Sequence, residues 1–455
     1  MQQTSAEEIA GRTAEEIAAS VRGLLDRGIL APGASLPPVR ALAESLGVNR
    51  NTALAGYRLL VRAGLAETRR GGGTVLAAPA AALPEEGFAP VGAVAELAAR
   101  EPGRTRALRD VGDGNPDPAL LPDPLALRLE LAPPRLYGEA TIDLGLAAWA
   151  TEWIAEDQSR PFALTVTAGA VDAVERLLAV ALAPGDAVAL EDPCFLTSIS
   201  TVRQGGYRPI GVGLDGAGMR PDELRAALEA GARAVVCTPR AHNPTGVSLT
   251  PERAAELRAV LADFPHVLVI EDDHFALLAR ASYATIIGAD HPRWALVRSV
   301  SKVLGPDLRL ALVASDAGTA AQLGLRISGG ITWVSHLLQR MSHGLLAAPG
   351  ADAQRAAASA HYAERAASFA ERLRRHGCAA VAGDGLNVWV ATGAPAAQVL
   401  GRLGERGWLA RPGAEFALAG GFADFVRVTA HALDDPEQEQ LAADLAWAAG
   451  RSAPG

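Results

Sequence analysis

From residue 109 onward the chain alternates short apolar runs with helical patterns, and this alternation narrows its fold more than any other feature. Residues 163–167, 187–190, 234–237, 267–270, 294–298 and 308–314 are rich in Val, Leu and Ala, as strands buried on both faces are. Residues 171–182, 221–230 and 251–263 lie between them and carry helical periodicity. Such alternation predicts a mainly parallel sheet with helices on both faces. Sheets of that kind bind ligands beyond the carboxyl ends of their strands.

The residues just past each run therefore matter. They are Gly169-Ala170, Pro193-Cys194-Phe195, His242-Asn243-Pro244, Asp272-Asp273-His274 and Ser299-Val300-Ser301-Lys302. One lysine, an acidic pair, an Asn-Pro turn, an aromatic ring and small residues are expected on one rim. Gly169 and Ala170 would offer backbone N–H groups at a helix start, where an anion is favoured.

Lys302 stands out by composition. Of the 42 Lys and Arg residues it is the one lysine. A drift toward Arg can replace lysine wherever only positive charge is wanted. It cannot replace an amine that must lose its proton and attack a carbonyl. A Schiff-base lysine working on amino compounds needs an electron-sink cofactor, and pyridoxal phosphate is the obvious candidate.

The first 77 residues have a different texture. Residues 13–30 place Ile17, Val21, Leu24 and Leu25 on one helical face. Pro37 and Pro38 open a second helix that ends at Gly47, and a third carries Leu54, Tyr57, Leu60 and Val61. Two short strands are expected around Gly71-Gly72-Gly73. Helix, turn, helix and hairpin wing make a unit whose recognition helix enters the major groove while the wing follows the backbone. Asn49, Arg50, Asn51 and Thr52 would face the bases or phosphates, and Arg40, Arg58, Arg69, Arg70 and Thr74 the phosphates. Net charge is −9 for the whole chain. The N-terminal stretch carries a slight positive excess, so nucleic-acid binding is expected there. Residues 78–108, rich in Ala, Pro and Gly, read as a linker, with a helical patch at 91–100.

Cys194, Cys237 and Cys378 are too scattered for a disulfide framework or a zinc site. The polar, acidic start lacks a signal-peptide pattern, and no apolar run is long enough for a membrane helix. A cytoplasmic setting and no metal are expected.

The run Leu36-Pro37-Pro38-Val39-Arg40 through Gly64-Leu65 resembles GntR-type winged helices. Residues from about 109 to 450 resemble fold-type I, class I/II aminotransferases. Together they resemble the MocR subfamily of GntR regulators. The resemblance implies an α/β chain with a winged helix-turn-helix at 1–77, a linker at 78–108 and an aminotransferase-like domain at 109–455. The large domain would span about 140–345, and a small α+β domain about 346–455 with part of 109–139. It also assigns roles: Lys302 to the Schiff base with pyridoxal phosphate, Asp272 rather than Asp273 to the ring nitrogen, Asn243 to the phenolic oxygen and Phe195 to the ring face. Ser299 and Arg309 would hold the phosphate, Tyr137 would reach the phosphate of a partner subunit, and Arg427 would grip an effector carboxylate. His274 departs from the family, where a tyrosine reaches the phenolic oxygen. Imidazole can also donate a hydrogen bond there, but it titrates near neutrality. The expected protein is a homodimeric, DNA-binding regulator sensing a small amino compound or pyridoxal phosphate itself. The alternative is a working aminotransferase with an accessory DNA-binding head.

Overall fold

The computed structural model describes residues 9–31, 33–62, 65–69, 73–76, 108–127, 133, 135–418 and 420–451. The linker expected at 78–108 falls almost wholly outside the described residues, as does Arg70. The chain divides into two compact units, one built mainly from the N-terminal region and one mainly from the remainder.

In the N-terminal unit, helices α1 (Ala14–Asp26), α2 (Val39–Leu46) and α3 (Arg50–Arg62) precede a hairpin of strands β1 (Ala66–Arg69) and β2 (Gly73–Leu76). Thr13 and Glu16 form a reciprocal capping box that starts α1. Gly47 ends α2 with φ 63°, a conformation glycine adopts without strain. Ile17, Val21, Leu24, Leu42, Tyr57, Leu60 and Leu76 share one core. Gly56 lets α3 approach α1 closely, since a Cβ there would meet Ile17 Cγ2 at 2.9 Å. The Tyr57 hydroxyl donates to the Pro37 carbonyl at 2.8 Å, tying α3 to the entry of α2.

The second unit holds an eight-stranded sheet in the order β4-β11-β10-β9-β8-β5-β6-β7. Its strands are β4 (Ala163–Thr167), β5 (Ala187–Asp192), β6 (Arg208–Asp215), β7 (Gly218–Met219), β8 (Ala232–Cys237), β9 (Leu268–Asp272), β10 (Trp294–Ser299) and β11 (Ala311–Ser315). Strands β8, β9 and β10 run parallel. Strand β11 runs antiparallel to both β10 and β4, and β7 antiparallel to β6, so the sheet is mixed. The sequence pattern predicts a mainly parallel sheet and misses this reversal. Residues 300–310 are too few for the crossover that a parallel neighbour needs, so the chain turns back instead. The centre of the sheet is wholly buried through β9, β10 and β11. A fully buried strand shows no alternation, which accounts for the near-continuous apolar runs.

A four-stranded sheet, β12 (Ala379–Val381), β13 (Val388–Ala391), β16 (Phe425–Val428) and β15 (Arg411–Pro412), forms the smaller α+β part. Phe369 and Leu373 from helix Ala351–Arg375, and Leu441 and Leu445 from helix Asp435–Ala448, pack on its Val388, Val390, Val426 and Val428. Strand β3 (Arg109–Asp110) pairs with β14 (Trp408–Leu409), and Val111 joins the same core. The segment 112–115 leaves that pair and runs to the site described next. Among the described residues no helix is long and apolar enough to cross a membrane.

Candidate functional site

The carboxyl ends of the strands converge on a cavity of about 440 Å³. Lys302, on the short helix after β10, lines it together with Asp272, His274, Asn243 and Phe195. Ala170, Ser299 and Arg309 line it as well. Seven of the residues expected on one rim are thus brought together, with Arg309 beside them. Gly169 adjoins them with φ 101°, and a Cβ there would meet the Arg309 guanidinium at 3.1 Å. Glycine therefore leaves room for a cradle between the helix Ala170–Ala181 and Arg309. Asp172, in the first turn of that helix, is spent locally: it accepts from Ala168 N and Arg176 Nε.

Lys302 Nζ donates to the Gly114 carbonyl at 2.9 Å. Asp272 is 8% exposed, and its Oδ1 is buried without a hydrogen-bond partner among the described residues. Burial, and then the neighbouring charge of Asp273, push its carboxyl up to about 7. Burial, and then the Lys302 charge, hold His274 down at about 4. Its imidazole is therefore neutral near pH 7, which corrects the expectation that it titrates near neutrality.

Asp273 faces the other way, as successive residues of an extended strand do. Arg240 donates to it from Nε at 3.0 Å and from Nη2 at 2.5 Å, and Arg298 Nε donates at 3.0 Å. Arg298 also donates to Asp157, and its guanidinium lies over Trp153 and Tyr283. His242 Nε2 is 3.4 Å from Glu191 Oε2. Burial pushes the Glu191 carboxyl up to about 8 and the His242 imidazole down to about 3, each toward its neutral form.

Two expected residues stand apart from the cavity wall. Tyr137 is 87% exposed and packs edge-on against Trp333, with ring centroids 5.5 Å apart. Arg427 is fully buried: it donates to Asn243 Oδ1 at 3.2 Å and to the Gly112 carbonyl at 2.5 Å, and its guanidinium lies 5.1 Å from the Phe416 ring centroid. Burial lowers its pKa to about 9. Sequence reasoning gave no role to Ser301 and did not single out Asn115, which both line the cavity, or Asn387, whose Nδ2 donates to Asn243 Oδ1. Their one signal is nearness to Lys302 for Ser301; Asn115 and Asn387 arrive from distant parts of the chain.

On the winged helix, Arg50, Asn51 and Arg58 are exposed on α3. Asn49 uses its side-chain oxygen to accept from Asn51 N at 2.8 Å, so that oxygen caps the helix. Arg40 pairs with Glu44 at 3.2 Å on the open surface. Thr52 and Thr74 are partly buried, and the side chain of Arg69 lies outside the described residues. Cys194, Cys237 and Cys378 are buried free thiols, and no cluster among the described residues has the make-up of a metal site.

Comparison with known proteins agrees with both halves. Residues 144–445 match the family of class I and II aminotransferases, and residues 13–76 the bacterial regulatory proteins of the gntR family. The chain is 43% identical to the vitamin B6 salvage pathway transcriptional repressor PtsJ of Salmonella typhimurium, over 97% of this chain and 100% of that protein. It is 30% identical to the HTH-type pyridoxine biosynthesis transcriptional regulator PdxR of Corynebacterium glutamicum, over 57% of this chain and 55% of that one. Among solved structures, the alpha-aminoadipate aminotransferase LysN of Thermus thermophilus superposes with a TM-score of 0.66 at 22% identity, covering 79% of this chain and 95% of that one. The kynurenine aminotransferase of Pyrococcus horikoshii gives 0.68 at 20%, covering 80% and 95%. These two establish the fold of the larger unit. With a gntR-type head and an aminotransferase-like body on one chain, and a regulator of the same build matched from end to end, this protein belongs to the MocR-type branch of the GntR transcription regulators.

Proposed function

We propose that the protein binds operator DNA through its winged helix and reads pyridoxal phosphate itself as its effector, held at Lys302. The observation that carries this reading is the buried, unpartnered oxygen of Asp272 in the same cavity as the chain's single lysine. A carboxylate kept from water without a partner is costly, and a protonated ring nitrogen is a group that would satisfy it. The cradle at Gly169 and Arg309 suits a phosphate in the same way. When bound, pyridoxal phosphate supplies an aldehyde that condenses with an amine and a ring that withdraws electrons.

Lys302 would hold the aldehyde carbon, Asp272 the ring nitrogen and Phe195 the ring face. Asn243 and the neutral His274 would donate to the phenolic oxygen, and Gly169, Ala170, Ser299 and Arg309 would hold the phosphate. Arg427 weighs against an effector carboxylate. Its guanidinium is already engaged by Gly112 and Asn243, outside the cavity wall. The two relatives named for vitamin B6 salvage and pyridoxine biosynthesis favour the same effector, and genes of vitamin B6 supply as targets.

Exposed Leu136, Tyr137, Leu144 and Leu337 support a homodimer, in which Tyr137 would serve the partner's phosphate. A protein acting on DNA in this way works in the cytoplasm. The second reading, a working aminotransferase, is favoured by the set of side chains around Lys302. Sustained keto-acid production at about 1 s⁻¹ or faster would establish it.

The test is binding to a DNA fragment from upstream of the protein's own gene, titrated with pyridoxal phosphate and separately with amino acids. Pyridoxal phosphate alone should change the affinity, and Lys302→Ala should abolish that response. Arg50→Ala should lose sequence-specific DNA binding and keep the cofactor. A response to an amino acid with none to pyridoxal phosphate would overturn the effector assignment.

A further inference from the structure

One directed chain of hydrogen bonds links the segment over Lys302 to Asn243. Gly114 N donates to Thr429 Oγ1 at 3.1 Å. The Thr429 hydroxyl donates to Asn387 Oδ1 at 2.8 Å. Asn387 Nδ2 donates to Asn243 Oδ1 at 3.3 Å. Thr429, Asn387 and Asn243 are each more than nine-tenths buried. Gly114, at the far end, accepts from Lys302 Nζ through its carbonyl.

The direction of every bond follows from Arg427. A guanidinium has donors and no acceptor, so the atom that Asn243 presents to Arg427 Nη1 at 3.2 Å must be oxygen. Asn387 faces that same oxygen and must present its Nδ2. Its own oxygen then accepts from Thr429, whose lone pairs receive Gly114 N. No member can turn its amide over without placing two donors or two acceptors in contact, and a buried mismatch of that kind is costly. Asn243 is thereby fixed with its oxygen toward Arg427 and its Nδ2 on the opposite edge. Asn243 also lines the cavity.

We propose that Asn387 and Thr429 are positioning residues: they hold the Asn243 amide so that it meets a ligand as a donor, and they tie that orientation to the segment capping Lys302. The proposal rests on the reading above, in which Asn243 donates to the phenolic oxygen of pyridoxal phosphate. Donation there stabilises the oxygen as an anion. Loss of the orientation should therefore weaken binding and raise the pH at which the bound cofactor's visible absorbance titrates.

Asn387→Asp keeps the shape and removes the donor. Thr429→Val keeps the volume and removes the hydroxyl, and Thr429→Ser restores it. Each would be purified as the full chain, checked by thermal unfolding without cofactor, and titrated with pyridoxal phosphate for Kd and for the midpoint of the visible band against pH. Asn387→Asp and Thr429→Val should each weaken binding roughly tenfold and move the midpoint upward, while Thr429→Ser should stay within about twofold. Asn243→Ala combined with Asn387→Asp should bind no worse than Asn243→Ala alone, since both act through one amide. If Asn387→Asp does not fold, Thr429→Val decides the matter. Weaker binding with an unmoved midpoint means a merely structural role and overturns the proposal, as does full additivity with Asn243→Ala. A wild-type protein that does not bind pyridoxal phosphate overturns the functional reading itself.

Discussion

Asp272 and Asp273 are neighbours in sequence and opposites in surroundings. Asp273 is fully buried yet takes three hydrogen bonds from two guanidiniums. Asp272, nearly as buried, has one oxygen with no partner among the described residues and a carboxyl pushed up to about 7. One face of the strand end is paired within the protein, and the other opens on the cavity with an oxygen unpartnered among the described residues. The two faces are also coupled, because the Asp273 charge helps raise Asp272. Buried charge thus serves two purposes here: on the paired face it fixes the backbone, and on the cavity face it stores an unmet demand for a proton donor.

Breaking the paired face should have the largest effect. Asp273→Asn leaves Arg240 and Arg298 with Asp157 as their remaining carboxylate, and Asp157 is partly exposed. Removing one partner from a buried ion network costs on the order of 3–5 kcal/mol. Chemical denaturation of the cofactor-free protein measures it. A loss below about 1 kcal/mol, the range of exposed pairs, would mean that the network does not hold the strand end.

The same substitution one residue earlier should do the reverse. Asp272 has a folded pKa raised above its unfolded value, so its favourable contribution is complete below about pH 4 and is lost as pH rises through about 7. Above that, the folded state carries a charge that the unfolded chain keeps in water. Asp272→Asn removes this penalty. The variant should be more stable than the wild type by a few kcal/mol at about pH 8, with the gap closing toward about pH 4, while pyridoxal phosphate binding falls sharply. Thermal unfolding across pH gives the first quantity and cofactor titration the second. A variant less stable than the wild type at pH 8 would show that Asp272 is satisfied within the protein.

Sequence reasoning reached the cavity face well and the paired face poorly, for a physical reason. The cavity lies just past the strand ends, so Lys302, Asp272, Asn243, Phe195 and Ser299, which line it, could be found from local pattern and a resemblance in order. The partners of Asp273 lie past β8 and within β10, and only sheet order and register bring Arg240 and Arg298 together. Nothing local marks Arg298 as buried; in the pattern it is one more arginine at the end of an apolar run. Thr429 meets Gly114, and Asn387 meets Thr429, only through the four-stranded sheet and the separate β3–β14 pair, which no periodicity predicts. The hairpin of β6 and β7 was missed because glycines and charged residues dilute its alternation, and the reversal of β11 went unnoticed because apolar runs carry no polarity. Tyr137 illustrates the remaining gap, since the role expected of it depends on a second copy of the chain.

The smallest effect belongs to His274, which tests whether the cavity face is set by burial or by an ionising imidazole. At about 4, its pKa leaves the ring neutral across the range where an ordinary histidine changes charge. Two causes act in the same direction: burial removes water from the cation, and Lys302 repels it. A neutral imidazole can donate one hydrogen bond, as a tyrosine hydroxyl does. His274→Tyr should therefore change pyridoxal phosphate affinity only a few-fold, about the worth of one neutral hydrogen bond. Between about pH 6 and 8 the binding profiles of variant and wild type should run parallel, and they should diverge below about pH 5 as His274 gains its proton in the wild type alone. A wild-type inflection near pH 6.5 that disappears in His274→Tyr would mean that the imidazole ionises inside the cavity, and the cavity face would then hold a second titrating group beside Asp272.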